Sequence, residues 1–346
     1  MKKVLYITNI EVPYRVRFFN ELAKHCDLTV LYESRGSESR NREWAKSEDT
    51  NHKAKYLRSP KDVIGIIREV FSGYDRIIVG CYNDPLQMAA ILVMRLLRRP
   101  YILNLDGETF PEGSSLKSRM KRFFLRGAEQ YLVAGEKAGQ TLKHAIGDIK
   151  VVPYYFSSFS EEEVIRNRSV SAEVQRNRDV LVVAQYLYCK GNDVVLETAR
   201  MDPTFQYKFV GMGSRTEQFL SDHKGQIPEN VEIVPFLQKK DLEEEYKKCA
   251  MLVLPSRQEC WGLVINEAAS FGTPIVSTWG SGAAVEFLAD RYPQYLAKPG
   301  DARSLYERIC ACSNAEGVEN YCDYLLEKSR RYTIENNVQA HLQVLD

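Results

Sequence analysis

The sequence predicts an α/β protein of two domains, each built on a parallel sheet. Its 346 residues are long for one domain and suit two. Short apolar runs alternate with helix-length segments, which is typical of parallel sheets. The charge also changes sign: residues 1–170 hold 28 Lys and Arg against 21 Asp and Glu, a net +7, and residues 171–346 hold 19 against 25, a net −6. We therefore predict domains at 1–170 and 171–331, and a last helix at 332–346.

The predicted strands follow from these apolar runs. In the first domain they lie at residues 4–8, 28–32, 76–79, 101–105, 130–133 and 150–152. In the second they lie at residues 180–184, 205–210, 231–234, 251–254, 275–277 and 295–297. A helix-length segment separates most consecutive strands, so each domain is expected to have its ligand edge at the carboxyl ends of the strands.

Two charged residues mark that edge in the first domain. Arg15 follows the first strand, where a dinucleotide site would need Gly-x-Gly-x-x-Gly; that motif is absent, which argues against a dehydrogenase. Asp106 follows the strand at 101–105 and is a candidate to bind an acceptor hydroxyl or assist its deprotonation. Arg15 is a candidate cation for phosphate. The alternatives are an exposed helix charge for Arg15 and an Asp-Gly turn for Asp106.

Residues 116–126 alternate basic and apolar side chains. The basic ones are Lys117, Arg119, Lys121, Arg122 and Arg126, and the apolar ones are Leu116, Met120, Phe123, Phe124 and Leu125. A basic amphipathic helix is typical of proteins that lie on anionic membranes, so this segment predicts peripheral membrane contact. The alternative is a solvated helix face. No helix-turn-helix, zinc or RNA-binding signature is present, so nucleic acid is not expected as a partner.

The length of the apolar runs, the first residues and the cysteine spacing predict a cytoplasmic protein. The longest apolar run, 86–97, contains Arg95 and falls short of the ~20 residues that a membrane-spanning helix needs. The first residues do not have the apolar length of a secretory signal. The eight cysteines show no Cys-x-x-Cys spacing, so we expect reduced thiols. The sequence has no Asp-x-Asp motif and no histidine cluster, so no metal site is predicted.

The most informative stretch is residues 255–286, PSRQECWGLVINEAASFGTPIVSTWGSGAAVE. It predicts a turn that carries Glu259, a helix over about 263–271, a strand and a glycine loop. Glu267 is eight positions after Glu259. Because the helix begins at about residue 263, Glu267 lies about a turn and a half into it. Helix N-termini at the ligand edge of a parallel sheet suit phosphate. The alternative is a chance pair of glutamates on a solvated helix face.

This stretch resembles the signature of family-4 glycosyltransferases, retaining enzymes of the GT-B fold that carry Glu-x7-Glu after a Pro-Ser strand end. The resemblance implies that Glu259 contacts the donor sugar and that Glu267 binds the ribose hydroxyls of the nucleotide. It also implies two Rossmann-like domains with parallel sheets facing across a cleft, the first for the acceptor and the second for the nucleotide sugar. The last helix is then expected to cross back to the first domain.

The resemblance extends to other donor-side turns. Family members carry Gly-Arg-Leu-x-x-x-Lys-Gly where this chain reads AQYLYCKG, so Lys190 matches the diphosphate-binding lysine, but Gln185 stands in place of the arginine. Arg15, Arg215 and Arg257 are candidates to replace that arginine, and we favour Arg15. The other donor-binding candidates belong to a glycine turn, a base-contacting turn and the start of the signature helix: Gly211, Gly213, Arg215, Phe236, Leu237, Ser256, Trp261, Gly262 and Leu263.

The resemblance implies a retaining glycosyltransferase of hexosyltransferase type. The expected donor is a nucleotide-diphosphate sugar, with a UDP-sugar favoured, and the expected acceptor is a glycan or lipid-linked glycan of cell-surface polysaccharide assembly. The resemblance implies no metal or other cofactor. The basic helix predicts that the cytoplasmic protein contacts the inner face of the cell membrane peripherally. Two alternatives remain: a sugar-nucleotide epimerase of related fold, and a catalytically inactive sugar-nucleotide-binding or scaffold protein, which Gln185 would favour.

Overall fold

The structure is a computed structural model that describes residues 1–34, 50–57, 59, 62–107, 110, 113, 115–171 and 175–345. The chain divides into two compact units. The first comprises Met1–Ser158 together with Ile334–Asp346, and the second comprises Phe159–Thr333. In the described part of the chain, no helix combines the length and the apolar character needed to cross a membrane.

The first unit alternates strands and helices around one parallel sheet. Its strands are β1 (Lys3–Ile10), β2 (Asp27–Ser34), β3 (Lys53–Tyr56), β4 (Arg76–Val79), β5 (Ile102–Leu105), β6 (Gln130–Ala134) and β7 (Val151–Tyr154). Its helices are α1 (Pro13–Leu22), α2 (Val63–Val70), α3 (Pro85–Leu96), α4 (Leu116–Leu125) and α5 (Glu136–Ile146). The strand order is β3-β2-β1-β4-β5-β6-β7, with every pairing parallel.

The central strands of this sheet are buried on both faces, as parallel strands covered by helices should be. All four residues of β5 are buried. Close packing extends to the carboxyl end of β4, where Val79 lies opposite Ile7 of β1. A Cβ atom on Gly80 would lie 2.9 Å from the carbonyl oxygen of Ile7, so a side chain has no room there. Glycine therefore allows the end of β4 to lie close to β1, and the amide of Gly80 donates to the carbonyl oxygen of Ile7 at 2.8 Å.

The second unit repeats the α/β alternation. Its strands are β8 (Asp179–Val183), β9 (Gln206–Val210), β10 (Val231–Val234), β11 (Met251–Leu254), β12 (Ile275–Thr278) and β13 (Leu296–Ala297). Its helices are α6 (Glu161–Ser171), α7 (Asn192–Met201), α8 (Thr216–Asp222), α9 (Lys239–Lys248), α10 (Leu263–Ser270), α11 (Gly282–Leu288), α12 (Ala302–Ser313) and α13 (Val318–Ser329). The parallel sheet has the order β10-β9-β8-β11-β12-β13.

The two junctions between the units lie close to, but not at, the predicted boundaries. The chain passes to the second unit after Ser158, twelve residues before the predicted boundary at 170, because α6 packs on the second unit. Asn167 in α6 donates a hydrogen bond to the hydroxyl of Ser270, with the two atoms 3.0 Å apart. The last helix, α14 (Ile334–Leu345), belongs to the first unit, where the ring of His341 packs against that of Phe18.

Candidate functional site

The carboxyl edge of the second sheet gathers most of the sequence-predicted site residues. Lys190 follows β8, Arg215 follows β9 and Glu259 follows β11. Half-buried Phe236 and Leu237 follow β10. Because all strands of this sheet are parallel, these turns lie at one edge, where open α/β sheets bind ligands.

An ion pair joins the two central residues of this edge. The ammonium group of Lys190 donates a short hydrogen bond to a carboxylate oxygen of Glu259. The two side chains are 23% and 14% exposed, so the pair is largely withdrawn from water but still reachable. A hydrogen bond between charged groups is stronger than one between neutral groups, and it is strongest where water is fully excluded. This pair is only partly shielded from water. A ligand that carries concentrated negative charge can therefore compete with Glu259 for Lys190.

The backbone holds the two charged turns together. The amide groups of Arg257 and Gln258 both donate to the carbonyl oxygen of Cys189, at 2.8 and 3.2 Å. Gly191 has a left-handed φ of +72°, and a Cβ atom there would lie 2.3 Å from the carbonyl oxygen of Pro255. Only glycine fits both the conformation and the space. The turn after β8 and the turn after β11 therefore form one rigid surface.

Arg257, one of the three candidate cations, is already paired. Its guanidinium forms two hydrogen bonds with the carboxylate of Asp193, both 2.7 Å long, and lies 4.2 Å from the centre of the Tyr188 ring. Partial burial would raise the pKa of Asp193, but the hydrogen bonds from Arg257 outweigh it and hold that pKa below its usual range. This bidentate pair neutralises Arg257 and ties the start of α7 to the β11 turn.

The signature helix α10 begins where the sequence predicts it. Gly262 precedes it with φ of +99°, and a Cβ atom there would lie 3.3 Å from Cγ of Glu259. Trp261 is buried and donates through its indole nitrogen to the side chain of Asn266, at 2.9 Å. Ser256 is also buried completely. Both side chains are withdrawn from solvent, and contact of Trp261 or Ser256 with a ligand stays a prediction.

Glu267 has a partner that the sequence did not indicate. Its carboxylate accepts a hydrogen bond of 2.8 Å from the phenol of Tyr246, a buried residue of α9. The Tyr246 ring stacks on Phe271, which fixes its position. Burial, and then the neighbouring Glu267 charge, raise the pKa of Tyr246 far above its usual value, so the phenol remains a hydrogen-bond donor. In the sequence Tyr246 resembles any core aromatic, so no signal could have identified it.

The turn after β9 lies next to the turn after β8. Gly211 and Gly213 have left-handed φ angles of +93° and +54°. Arg215 follows them and donates to the carbonyl oxygen of Tyr186 at 3.4 Å. Tyr186 directly follows Gln185, so the guanidinium of Arg215 lies beside the position where the resembling family has its arginine.

In the first unit, Arg15 and Asp106 bind each other. A guanidinium nitrogen and a carboxylate oxygen are 2.5 Å apart, and the side chains are 14% and 26% exposed. Arg15 also donates a short hydrogen bond to the hydroxyl of Thr8. The other Asp106 oxygen accepts hydrogen bonds from the phenol of Tyr154 at 2.5 Å and from the amide of Asn104 at 2.8 Å. The sequence assigned separate roles to two residues that the structure joins in one neutral pair.

Helix α14 completes this network. The Nε2 atom of His341 is 3.1 Å from the side-chain oxygen of Asn104, and its Nδ1 atom is 2.9 Å from the carbonyl oxygen of Asn337. Burial lowers the pKa of His341 to about 4, so the imidazole is neutral at physiological pH. His341 and Asn104 are 237 positions apart in the sequence, and no local pattern could have paired them.

The comparisons with known proteins agree with this geometry. A family model described as "Glycosyl transferases group 1" matches residues 164–336, which is half of the chain. The chain belongs to this family. It is also similar to an uncharacterized glycosyltransferase of Methanocaldococcus jannaschii, with 26% identity over 171 residues, 45% of this chain and 46% of that protein. The chain thus matches less than half the length of the curated relatives, 43–46%.

Solved structures resemble the whole chain. The Anabaena protein Alr3699/HepE in complex with UDP-glucose has a TM-score of 0.72 and 16% identity, covering 100% of both chains. WaaG, a glycosyltransferase involved in lipopolysaccharide biosynthesis, has a TM-score of 0.65 and 13% identity, covering 99% of both. At these identities the likeness shows the fold alone. The predicted GT-B fold class, with two Rossmann-like units on parallel sheets of seven and six strands, is confirmed.

Proposed function

We propose that this protein is a retaining, metal-independent glycosyltransferase of family-4 type, with a nucleotide-diphosphate sugar as donor and a UDP-sugar favoured. The observation that carries the proposal is the Lys190–Glu259 pair at the carboxyl edge of the second sheet. Membership of the glycosyltransferase group 1 family supports transfer of a sugar. The Anabaena neighbour, which has the same fold, is named as a complex with UDP-glucose, which supports the choice of donor.

In the proposed mechanism Lys190 exchanges its partner. The diphosphate of the donor replaces the Glu259 carboxylate at the Lys190 ammonium group. Glu259 is thereby released to accept hydrogen bonds from hydroxyl groups of the donor sugar. As the glycosidic bond breaks, negative charge grows on the leaving diphosphate, and the preorganised Lys190 stabilises that charge without further reorganisation. The rigid backbone between the two turns keeps both groups in position.

The nucleotide is proposed to lie along the neighbouring turns. Glu267 accepts hydrogen bonds from the ribose hydroxyls, and Tyr246 holds its carboxylate in one orientation. The glycine turn at Gly211 and Gly213 provides backbone close to the ligand. Three half-buried apolar residues are proposed to contact the base and the nucleotide: Phe236, Leu237 and Leu263.

Removing the Glu267 carboxylate is expected to weaken UDP binding. A charged hydrogen bond contributes about 1.5–3 kcal/mol, so Glu267→Ala should raise the Kd for UDP about 10- to 100-fold in a calorimetric titration. Tyr246→Phe should raise it by less, about threefold to tenfold, because the carboxylate remains but loses its fixed orientation. Glu307→Ala, an exposed change on α12, is the matched control. Unchanged affinity in Glu267→Ala would remove the ribose assignment.

The acceptor is proposed to bind at the carboxyl edge of the first sheet. There the Arg15–Asp106 pair replaces the single cation that the sequence led us to expect. Asp106 accepts a hydrogen bond from an acceptor hydroxyl, while Arg15 and Tyr154 hold its carboxylate in place. A glycan or lipid-linked glycan of cell-surface polysaccharide assembly is the proposed acceptor class. WaaG, which shares the fold, is named for lipopolysaccharide biosynthesis, and this supports the choice.

Helix α4 is proposed to lie on an anionic membrane surface. The structure separates its apolar side chains: Phe124 and Leu125 are buried, whereas Leu116, Met120 and Phe123 are 82%, 50% and 47% exposed. These three residues have the spacing of one helix face. Basic side chains surround them on the same helix: Lys117, Arg119, Lys121 and Arg122. An exposed apolar stripe bordered by basic residues suits a shallow position among lipid headgroups.

Charge reversal on α4 is expected to release the protein from anionic vesicles. Each basic residue near such a surface contributes about 1 kcal/mol, so Lys121→Glu combined with Arg122→Glu should weaken binding at least about tenfold in vesicle sedimentation. The control reverses two exposed lysines on other elements of the same unit, Lys143→Glu with Lys150→Glu, and changes the net charge equally. If the wild type does not sediment with anionic vesicles at low salt, the membrane proposal is wrong.

Product analysis distinguishes the proposed activity from its alternatives. The protein is incubated with a panel of UDP-, GDP-, ADP- and dTDP-sugars, with and without a membrane glycolipid fraction. A glycosyltransferase releases the nucleoside diphosphate and requires the acceptor fraction. An epimerase changes the donor sugar without any acceptor. A scaffold protein binds a sugar nucleotide and changes nothing.

A further inference from the structure

The donor diphosphate needs more positive charge than Lys190 supplies. A nucleoside diphosphate carries two to three negative charges near neutral pH, and a lysine ammonium group is a single point charge on a flexible stem. Gln185, two residues after the end of β8, contributes no charge. A second cation is therefore expected among the arginines at the carboxyl edges of the sheets.

Two of the three candidate arginines are neutralised within their own units. Arg15 forms an ion pair with Asp106, and Arg257 forms a bidentate pair with Asp193. Binding a phosphate through either arginine would break a close pair and leave a carboxylate next to the incoming anion. Both changes oppose binding.

Arg215 differs from both. Among the residues that the structure describes, no carboxylate lies within 4.0 Å of its guanidinium group. Within the described ranges, its side chain makes a single hydrogen bond, the 3.4 Å contact with the carbonyl oxygen of Tyr186, which is long. The guanidinium can therefore turn toward an anion at small cost.

The backbone around Arg215 is fixed. The amide of Gly213 donates to the carbonyl oxygen of Pro235 at 2.8 Å, and the hydroxyl of Thr216 donates to the carbonyl oxygen of Gly213 at the same distance. Strand β8 lies between β9 and β11 in the sheet. Lys190 pairs with a residue that follows β11, and Arg215, which follows β9, contacts a residue that follows β8. The segment after β8 thus carries Lys190, which pairs with the turn after β11, and it is contacted from the β9 side by Arg215.

We propose that Arg215 is the second diphosphate-binding cation and compensates for the uncharged Gln185. Its planar guanidinium makes paired hydrogen bonds to phosphate oxygens, which a lysine cannot reproduce. This inference rests on the proposed function, because it assumes a nucleotide-diphosphate donor, and it replaces Arg15 as the favoured cation.

The test is calorimetric titration of UDP and of uridine into the full chain and its variants. Arg215→Ala is expected to weaken UDP binding about 10- to 100-fold, as for the loss of a charged hydrogen bond, and to leave uridine binding unchanged. Arg215→Lys should recover part of the loss. Adding Gln185→Arg to Arg215→Ala should recover at least about tenfold, since it places a guanidinium next to the same site. Arg303→Ala, at an exposed position on α12, is the control and should bind as the wild type does.

The possible outcomes separate this inference from the proposed function. If the wild type binds UDP and Arg215→Ala binds it equally well, the inference is overturned and the proposed function stands. An equal loss of UDP and uridine binding in Arg215→Ala also overturns it, because the residue would then act on the turn and not on phosphate. If the wild type binds none of UDP, GDP, ADP or dTDP, both the proposed function and the inference fall.

Discussion

Glu259→Gln is expected to lower turnover about 100- to 1,000-fold, the loss typical when one preorganised polar contact to a reacting group is removed. UDP affinity is expected to stay the same or rise. The reason is the Lys190–Glu259 ion pair. In the proposed mechanism Glu259 competes with the diphosphate for Lys190, and the amide removes that competition while it loses the charged contact to the sugar. Turnover is measured as UDP release from the sugar nucleotide that the wild type uses, and affinity by calorimetry.

The contrast between the two readouts makes this prediction specific. Glu319→Gln, an exposed change on α13, is the control and should alter neither quantity. A general loss of structure in Glu259→Gln would lower turnover and affinity together. Equal losses of both would therefore show that Glu259 holds the nucleotide or the loop and not the sugar.

Arg15→Met is expected to destabilise the first unit by about 3–5 kcal/mol, because it removes one partner of a largely buried ion pair and leaves the other charge behind. Asp106 would keep its hydrogen bonds from Tyr154 and Asn104, which places the loss toward the lower end of that range. Hydrogen exchange of backbone amides in β1 and β5 reports the free energy of unfolding of this unit separately from the other.

Two further variants complete that experiment. Arg15→Met with Asp106→Asn should recover at least half of the lost stability, since the amide removes the unpaired charge and its oxygen can still accept hydrogen bonds from Tyr154 and Asn104. Arg68→Met, at an exposed position on α2, should change amide protection little. A loss under about 0.5 kcal/mol in Arg15→Met would match an exposed surface residue and contradict the buried pair.

The elements that the sequence predicted are those with a local apolar pattern. The strand before Glu259 and the helix around Glu267 are recognisable because apolar runs, a glycine and a proline mark their limits. Strand β3 was missed because it is a four-residue edge strand, Lys53–Tyr56, without an apolar run. Helix α6 fell almost entirely within the predicted first domain, which extends to residue 170, because its charged residues give no apolar pattern; its buried residues Val164 and Asn167 belong to the second unit.

The contacts between site residues could not be predicted in the same way. The pairs Arg15–Asp106, Arg257–Asp193 and Tyr246–Glu267 join positions 91, 64 and 21 residues apart. The sequence indicates that such residues share a sheet edge, because parallel topology requires it. It does not indicate which charge neutralises which, since that depends on side-chain directions set by packing. The carboxylate partners of Arg15 and Arg257 therefore distinguish these two arginines from Arg215, and no sequence pattern indicates those partners.

The central claim is that Lys190 exchanges Glu259 for the diphosphate of a nucleotide sugar. Calorimetric titration of a sugar-nucleotide panel into the wild type and Lys190→Ala tests it most directly. We expect at least one sugar nucleotide, a UDP-sugar first, to bind the wild type, and Lys190→Ala to bind it at least about tenfold more weakly. A wild type that binds no member of the panel, or a Lys190→Ala variant that binds as tightly as the wild type, would contradict the account.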